Sequence, residues 1–137
     1  MYYIFCIDEH GGRMFLKRRQ SQDRALRERV LTLTAGHTLW MSTYSAKQFT
    51  EGGDFIVDDN YLQKAGEDDY CFIEDQDFDL SRCKGVSLYN WNRHYPAVVK
   101  WDVDLVAEGF TQISKTDFVG HSHERITEYV YVKESNP

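Results

Sequence analysis

A continuous apolar run of strand length, Tyr2–Ile7, begins the hydrophobic pattern of the chain. Because the run does not alternate with polar residues, both faces of the strand are expected to be buried, as in the centre of a sheet. Residues 8–12 then form a polar turn whose two adjacent glycines are free to take positive φ. Residues 13–16 predict a short second strand. The beginning of the chain therefore predicts a central strand followed by a tight turn.

A helix of about three or four turns is predicted next, from an apolar stripe at helical spacing. The stripe consists of Leu26, Val30 and Leu33. Ser21 fits the N-cap position, and Asp23 fits the first turn, where negative charge suits the helix dipole. Gly36 fits the position just beyond the helix end.

The remaining elements are short and are separated by turn residues. Strands are predicted at 38–42, 55–57, 70–74, 86–89, 98–104, 110–113 and 129–133, and helical turns at 45–49 and 61–65. We expect 86–89 and 98–104 to pair as antiparallel strands, the second with one face in water because apolar and polar residues alternate there. The whole chain, 1–137, is thus predicted to be a single α+β domain, with a mixed, mostly antiparallel sheet of about six or seven strands and two or three helices.

Composition narrows the classes of partner and compartment. The formal net charge of −6 disfavours binding to duplex nucleic acid, which normally needs a basic surface. No apolar run reaches the length of a membrane span, so a membrane partner is not expected. The three cysteines have no CxxC spacing and predict reduced thiols in a cytoplasmic protein.

The segment Tyr89-Asn90-Trp91-Asn92-Arg93-His94-Tyr95-Pro96, here the tryptophan segment, is the first candidate for ligand contact. Arg93 is suited to binding an anion, and His94 to binding one or to moving a proton near neutral pH. Trp91 and Tyr95 are suited to stacking on a flat ring. The alternative is a structural corner with Trp91 in the core.

A basic segment immediately before the predicted helix is the second candidate. It contains Arg13, Lys17, Arg18, Arg19, Gln20 and Ser21. Arginine forks and the positive end of a helix both favour phosphate or carboxylate. The alternative is that the arginines pair with nearby acids such as Asp8, Glu9 and Asp23, or face water.

The sequence His121-Ser122-His123-Glu124 is the third candidate. In a strand both imidazoles would share a face and reach one metal ion, with Asp8, Asp102, Asp104 or His94 as a further ligand. Two ligands do not make a site, so no metal and no cofactor is predicted, and whether His121 and His123 bind one stays open. The alternative is that Ser122 caps a turn. The nucleotide and hydrolase motifs GxGxxG, Walker A, HExxH and GxSxG are all absent.

Several segments are similar to a family of small bacterial proteins, mostly from Firmicutes, that often carry the label ribonuclease Z. The matching pieces are Phe5-Cys6-Ile7-Asp8, Met14-Phe15, Arg18-Arg19-Gln20-Ser21-Gln22-Asp23, Leu39-Trp40-Met41, Tyr44-Ser45-Ala46-Lys47, Asp69-Tyr70-Cys71-Phe72, the tryptophan segment and Ser122-His123-Glu124. Ribonuclease Z enzymes have an H-x-H-x-D-H metal signature, whereas this chain continues from His123 with Glu124-Arg125-Ile126 and lacks the Asp-His pair. The resemblance therefore implies no catalytic residue, but it suggests that the basic and tryptophan segments belong to one design.

These observations predict that the protein binds an anionic small molecule, with nucleotides among the candidates and sequestration of a nucleotide signal as one use. The ligand-binding residues would be Arg18, Arg19, Ser21, Trp91, Arg93 and His94. One alternative is a small phosphoesterase or nuclease, with Asp8, His94 and His123 as catalytic candidates. Another is a protein-interaction module that presents Trp40, Trp91 or Trp101. The sequence leaves open whether any reaction is catalysed, which ligand binds, the cellular process and the oligomeric state.

Overall fold

Strand β1, Tyr2–Ile7, lies in the middle of a seven-stranded sheet in the computed structural model, which describes residues 1–15 and 18–133. The predicted central strand is confirmed, with the predicted bounds. Ile4 packs into a hydrophobic cluster on one face, while Tyr3 and Phe5 pack into a second cluster. Ile4 and Phe5 are both fully buried, as expected of a strand covered on both faces.

The other elements are short. In chain order, the strands are β2 (Gly12–Phe15), β3 (Arg18–Arg19), β4 (Leu39–Met41), β5 (Ile56–Val57), β6 (Tyr70–Phe72), β7 (Gly85–Asn90), β8 (Val99–Lys100), β9 (Phe110–Phe118) and β10 (Ile126–Lys133), and the helices are α1 (Arg24–Leu33), α2 (Thr43–Ala46) and α3 (Tyr61–Lys64), with a 3-10 turn at Leu80–Arg82. Over the described residues this is a single α+β domain with three α-helices, which confirms the predicted class. None of the described helices is both long and apolar enough to cross a membrane. Leu16 of the second predicted strand and Lys17 of the basic segment lie outside the described residues.

The large sheet has the order β5-β4-β6-β1-β7-β10-β9. In the described residues its four pairings among β5, β4, β6, β1 and β7 are parallel, and only the pairings of β10 with β7 and β9 are antiparallel. The prediction of a mostly antiparallel sheet is therefore wrong. The helices and the 3-10 turn act as crossovers that return the chain in the same direction, a connection that parallel strands require.

The predicted pairing of 86–89 with 98–104 is also wrong. β7 lies between β1 and β10, and it pairs with β1 along its full length from Gly85 to Asn90. β8 instead pairs with β2 in a small second sheet of order β3-β2-β8. An alternating pattern shows that one face of a strand is wet, but it does not specify the partner strand.

Helix α1 begins two residues later than the predicted cap implies. Asp23, not Ser21, is the N-cap, and its carboxylate accepts hydrogen bonds from Ala25 N at 2.8 Å and Leu26 N at 3.4 Å. The predicted apolar stripe is confirmed, because Leu26 and Val30 are fully buried. Ser21 is thereby free to make a different contact, described below.

Candidate functional site

The carboxyl ends of the parallel strands β6, β1 and β7 lie at one edge of the sheet. This edge is where open sheets hold ligands, at the point where successive connections leave in opposite directions. Here the chain leaves β1 towards β4 and later crosses from β6 to β7 on the other side of β1. The residues just beyond these ends are Asp8 after β1, Glu74 after β6 and Trp91 after β7.

Asp8 is a buried hub at this edge and is 1% exposed. Its Oδ1 accepts hydrogen bonds from His10 N at 2.9 Å and Gly12 N at 2.8 Å, and its Oδ2 accepts them from Tyr95 N at 2.9 Å and Gln20 Nε2 at 3.2 Å. Burial acts to raise the pKa of Asp8, but the hydrogen bonds outweigh it and lower the pKa below its ordinary value. Because all four donors are groups of the protein itself, the Asp8 carboxylate serves to hold the turn after β1, Gln20 and the tryptophan segment together.

Arg19, predicted to bind an anion, is paired inside the protein. Its Nε and Nη2 donate to the two oxygens of Glu74, at 3.0 Å and 3.2 Å. Its guanidinium also lies over the Tyr44 ring and donates to the Tyr44 carbonyl. Glu74 further accepts a hydrogen bond from Gln48. The positive charge of Arg19 is thus already matched by a carboxylate, whereas Arg18 is exposed in β3.

Ser21 and Trp91 meet at the imidazole of His123. Ser21 Oγ lies 2.8 Å from His123 Nε2, and Tyr95 OH lies 3.2 Å from the same nitrogen. The other ring nitrogen, Nδ1, lies 2.8 Å from Oδ2 of Asp23. The Trp91 ring stacks on the imidazole with centroids 4.6 Å apart. The basic and tryptophan segments therefore do come together, but around a histidine from the turn before β10.

The His-x-His sequence does not lie in a strand. Both residues precede β10, with His121 exposed and His123 5% exposed, so they do not present two imidazoles on one face. Among residues 1–15 and 18–133 there is no group of three or more His, Cys, Asp or Glu side chains arranged to hold a metal ion. Instead, the turn is bound to Asp23, which accepts hydrogen bonds from the backbone N–H groups of His121 and Ser122.

Arg93 lies at the surface beside a second arginine. A pocket of about 320 Å³ is lined by Trp91, Asn92, Arg93, Glu124 and Arg125, and we call it the arginine pocket. Both arginines are exposed, and neither forms an ion pair within the described part of the chain. Asn92, at φ 57, holds this corner by donating from Nδ2 to Arg125 O at 3.1 Å. Trp91 is 2% exposed and its ring already stacks on His123, so it is not a free stacking surface.

Two other predicted features lie outside this pocket. His94 is exposed and packs edge-on against His10, with ring centroids 4.3 Å apart. Of the remaining tryptophans, Trp40 is half-buried and donates to Asp69, and Trp101 is half-buried and stacks on Phe78. Neither presents the exposed ring that an interaction module would use.

A larger surface depression of about 1040 Å³ lies elsewhere and shares Arg13 with the basic segment. Five carboxylates line it, from Asp77, Asp79, Asp102, Asp104 and Glu108, against the cations Arg13, Lys100 and Lys133. Its excess of negative charge disfavours an anionic ligand. The arginine pocket is the better match to an anion, although it is smaller.

Sequence reasoning missed the partners that organise this edge. Asp23 and Arg125 were not among the candidate site residues, although each contacts or adjoins one that was. Tyr95 was expected only to stack on a ligand ring, and its hydroxyl instead lies against His123. One sequence feature could have indicated the role of Asp23, namely Ser21-x-Asp23 before a helix. A side chain that caps a helix can also bind a distant loop. The identity of that loop could not be read from the sequence.

Comparison with known proteins gives a match in structure alone. No protein-family model and no curated protein matches the chain. A solved structure, "Dihydrofolate reductase from Enterococcus faecalis complexed with NADP(H) and RAB-propyl", superposes with a TM-score of 0.64. The fold resembles that of a dihydrofolate reductase. The alignment covers 98% of this chain and 96% of the other at 9% sequence identity, so the likeness extends to the fold alone.

Proposed function

We propose that the protein binds an anionic small molecule in the arginine pocket. The observation that carries this proposal is the pair Arg93 and Arg125, two exposed guanidinium groups that line one pocket without forming an ion pair in the described residues. Glu124 also lines the pocket, so two guanidinium groups face one carboxylate and leave a local excess of positive charge in a chain of net charge −6. Guanidinium groups donate in a planar fork that matches phosphate and carboxylate oxygens.

The backbone of the pocket supports the proposal, because it is held in place before any ligand arrives. Asn92 donates both to Arg125 O and, at 2.9 Å, to Thr127 Oγ1, which ties the end of β7 to the start of β10. Thr127 in turn donates to Asp117 on β9. A pocket whose walls are fixed loses less conformational entropy when it binds a ligand.

Nucleotides are the first ligand class to test. The dihydrofolate reductase of similar fold is described as complexed with NADP(H), which carries phosphate groups. Of the residues predicted from sequence, this proposal keeps Arg93 as a ligand contact, while Trp91 only lines the pocket. Arg19 has an internal partner and is assigned a structural role.

The test is titration calorimetry with inorganic phosphate, AMP, ATP and NADP⁺ at low ionic strength. We expect at least one to bind, and Arg93→Ala and Arg125→Ala each to weaken its binding about ten-fold, the loss of one charge-assisted hydrogen bond. Arg82→Ala is the matched control, since Arg82 is also exposed but lies in the 3-10 turn before β7. Absence of binding across the four ligands, or an equal loss in Arg82→Ala, would overturn the proposal.

We further propose a cytoplasmic location. The three cysteines are free thiols, and Cys71 and Cys83 are buried. Burial raises the pKa of Cys71 to about 12 and that of Cys83 to about 11, so both remain protonated and unreactive. Three unpaired thiols are typical of a reducing compartment. Fluorescence microscopy of a tagged chain in its host would test this.

A further inference from the structure

Three side chains form a continuous hydrogen-bonded row beside the arginine pocket. Oδ2 of Asp23 lies 2.8 Å from Nδ1 of His123, and Nε2 of His123 lies 2.8 Å from Oγ of Ser21. The Asp23 side chain is 0% exposed and that of His123 is 3% exposed, while Ser21 is half-buried. A hydroxyl, an imidazole and a buried carboxylate in this order are the arrangement that activates serine nucleophiles on unrelated folds.

The carboxylate is held in its ionised form. Burial acts to raise the pKa of Asp23, but hydrogen bonds from His121 N, Ser122 N and the His123 ring outweigh it and hold the pKa far below its ordinary value. An ionised carboxylate can only accept hydrogen bonds, so Nδ1 of His123 must carry the proton in this contact. In a neutral ring, Nε2 is then the unprotonated nitrogen, and it faces Ser21 as an acceptor.

Two aromatic residues complete the surroundings of the imidazole. Trp91 stacks on one face at 4.6 Å and 27°, which fixes the ring plane and excludes water from that face. Tyr95 OH lies 3.2 Å from Nε2, the same ring nitrogen that Ser21 Oγ contacts. A tyrosine hydroxyl near the nucleophile is a suitable donor to an oxyanion that forms there.

We propose that Ser21 is a catalytic nucleophile, with His123 as its general base and Asp23 as the residue that positions His123, and that the chain hydrolyses a carboxylic ester. Ser21 Oγ bonds to the ester carbonyl carbon while its proton passes to His123 Nε2, and Tyr95 OH donates to the carbonyl oxygen as it becomes negative. The bond from that carbon to the alcohol oxygen breaks, and the alcohol leaves with the proton from Nε2.

The acyl group is then released by water. Water attacks the acyl carbon and gives a proton to Nε2, the bond to Ser21 Oγ breaks, and Oγ takes that proton back. The products are one carboxylic acid and one alcohol for each ester and water consumed. This activity goes beyond the binding of an anion and does not depend on it, because none of Ser21, His123 and Asp23 lines the arginine pocket.

The network also joins two distant parts of the fold. Asp23 caps α1 and accepts hydrogen bonds from the turn before β10. A purely structural role would explain the contacts of Asp23, but it does not require a serine hydroxyl at Nε2. The test must therefore report on the reactivity of Ser21 and not on stability.

The experiment is labelling of the full chain with a fluorophosphonate, which forms a covalent adduct on activated serines, followed by peptide mapping by mass spectrometry. We expect the adduct on Ser21 and not on Ser81, an exposed serine in the 3-10 turn. The same protein should hydrolyse p-nitrophenyl acetate. Ser21→Ala should abolish both, Ser81→Ala should change neither, and His123→Gln should slow labelling by about 10²-fold or more.

The wild-type protein alone decides the matter if His123→Gln does not fold. Protein whose cooperative thermal unfolding shows it to be folded, but which gives no adduct on Ser21, overturns the proposal. Equal labelling of Ser21 and Ser81 overturns it as well, because Ser21 would then be no more reactive than an ordinary exposed serine. Loss of nucleotide binding in Arg93→Ala with unchanged Ser21 labelling separates this inference from the proposed function.

Discussion

The carboxylate of Glu74 holds the guanidinium of Arg19 through two hydrogen bonds, from Nε at 3.0 Å and from Nη2 at 3.2 Å. The Glu74 side chain is 8% exposed and that of Arg19 is 18% exposed. Glu74 follows β6 at the carboxyl edge of the sheet, so a residue of the basic segment occupies part of the edge at which a ligand would otherwise be expected. The pair therefore decides which arginines remain available to an anion.

Glu74→Gln should lower the free energy of unfolding by about 3 kcal/mol, because it leaves the Arg19 charge largely buried without its partner. The measurement is urea unfolding at neutral pH. Glu28→Gln is the control, since its partner Arg24 is exposed on the same helix and such pairs contribute about 0.5 kcal/mol or less. A similar cost for both variants would contradict the structural role given to Arg19.

The position of Arg19 illustrates what the sequence could not show about the site. A basic segment before a helix predicts an anion site on sound physical grounds, and the nearby acids were considered as alternative partners. The partner in the structure, Glu74, is 55 positions further along the chain, after β4 and β5. Local sequence carries no information about which distant carboxylate will reach an arginine, so Arg93 and Arg19 looked equivalent.

Protonation of Asp23 at acid pH should lower the stability of the protein. Its pKa in the folded chain lies below the value of about 3.9 expected when unfolded, because hydrogen bonds from His121 N, Ser122 N and His123 outweigh burial, which acts to raise it. The unfolded chain then binds the proton first as the pH falls. The contribution is complete above about pH 5 and is lost as the pH falls through and below about 4.

The measurement is the free energy of unfolding from pH 6 to pH 3, in wild type and in Asp23→Asn. The variant should be less stable at neutral pH by about 2 kcal/mol, because it loses an N-cap and a charged acceptor. Its stability should also depend less steeply on pH across the acid range. Parallel pH profiles for the two proteins would show that Asp23 is not the group responsible.

Tyr89→Phe should cost about 2 kcal/mol, although it removes only one oxygen atom. Tyr89 is fully buried, and its hydroxyl donates to Glu128 Oε2 at 2.7 Å. Glu128 is 4% exposed and also accepts from Arg29, so the lost donor leaves a buried carboxylate with fewer partners. Thermal unfolding checks this. Tyr2→Phe is the comparison, as Tyr2 is only half-buried, and it should change stability by less than about 0.5 kcal/mol.

The fold was predictable where the signal is local. The uninterrupted apolar run of β1 and the apolar stripe on α1 each reflect the burial of one element. That burial can be predicted from the residues of the element alone. The pairing of strands was not predictable in the same way. β8 is only two residues long and pairs with β2 across 85 or more positions, while its alternating pattern fits any antiparallel partner. The order of the strands is determined by how the whole sheet packs, so it cannot be predicted from the residues of one strand.

Gly12→Ala should disrupt the carboxyl edge of the sheet through a steric clash. A Cβ atom at Gly12 would lie 2.3 Å from Gln20 Nε2 and 2.6 Å from Ala97 Cβ. The Gln20 side chain can rotate away, although it then loses its hydrogen bond to Asp8. The Ala97 Cβ is attached directly to the backbone, so the chain after the tryptophan segment must move. We expect a loss of about 3 kcal/mol in urea unfolding, the upper range for overpacking.

Gly36→Ala separates this steric effect from backbone strain. Gly36 has φ +83, and a Cβ atom there would have no atom within 4 Å. Alanine at this position therefore costs only the strain of the left-handed backbone conformation, about 1 kcal/mol. Gly12 has no positive φ, and its cost must come from contacts. Gly12→Ala should also weaken ligand binding at Arg93, because residues 93–97 are displaced together, whereas Gly36→Ala should leave binding unchanged. If Gly36→Ala proves the more destabilising of the two, the close packing of the β1 turn against residue 97 is refuted.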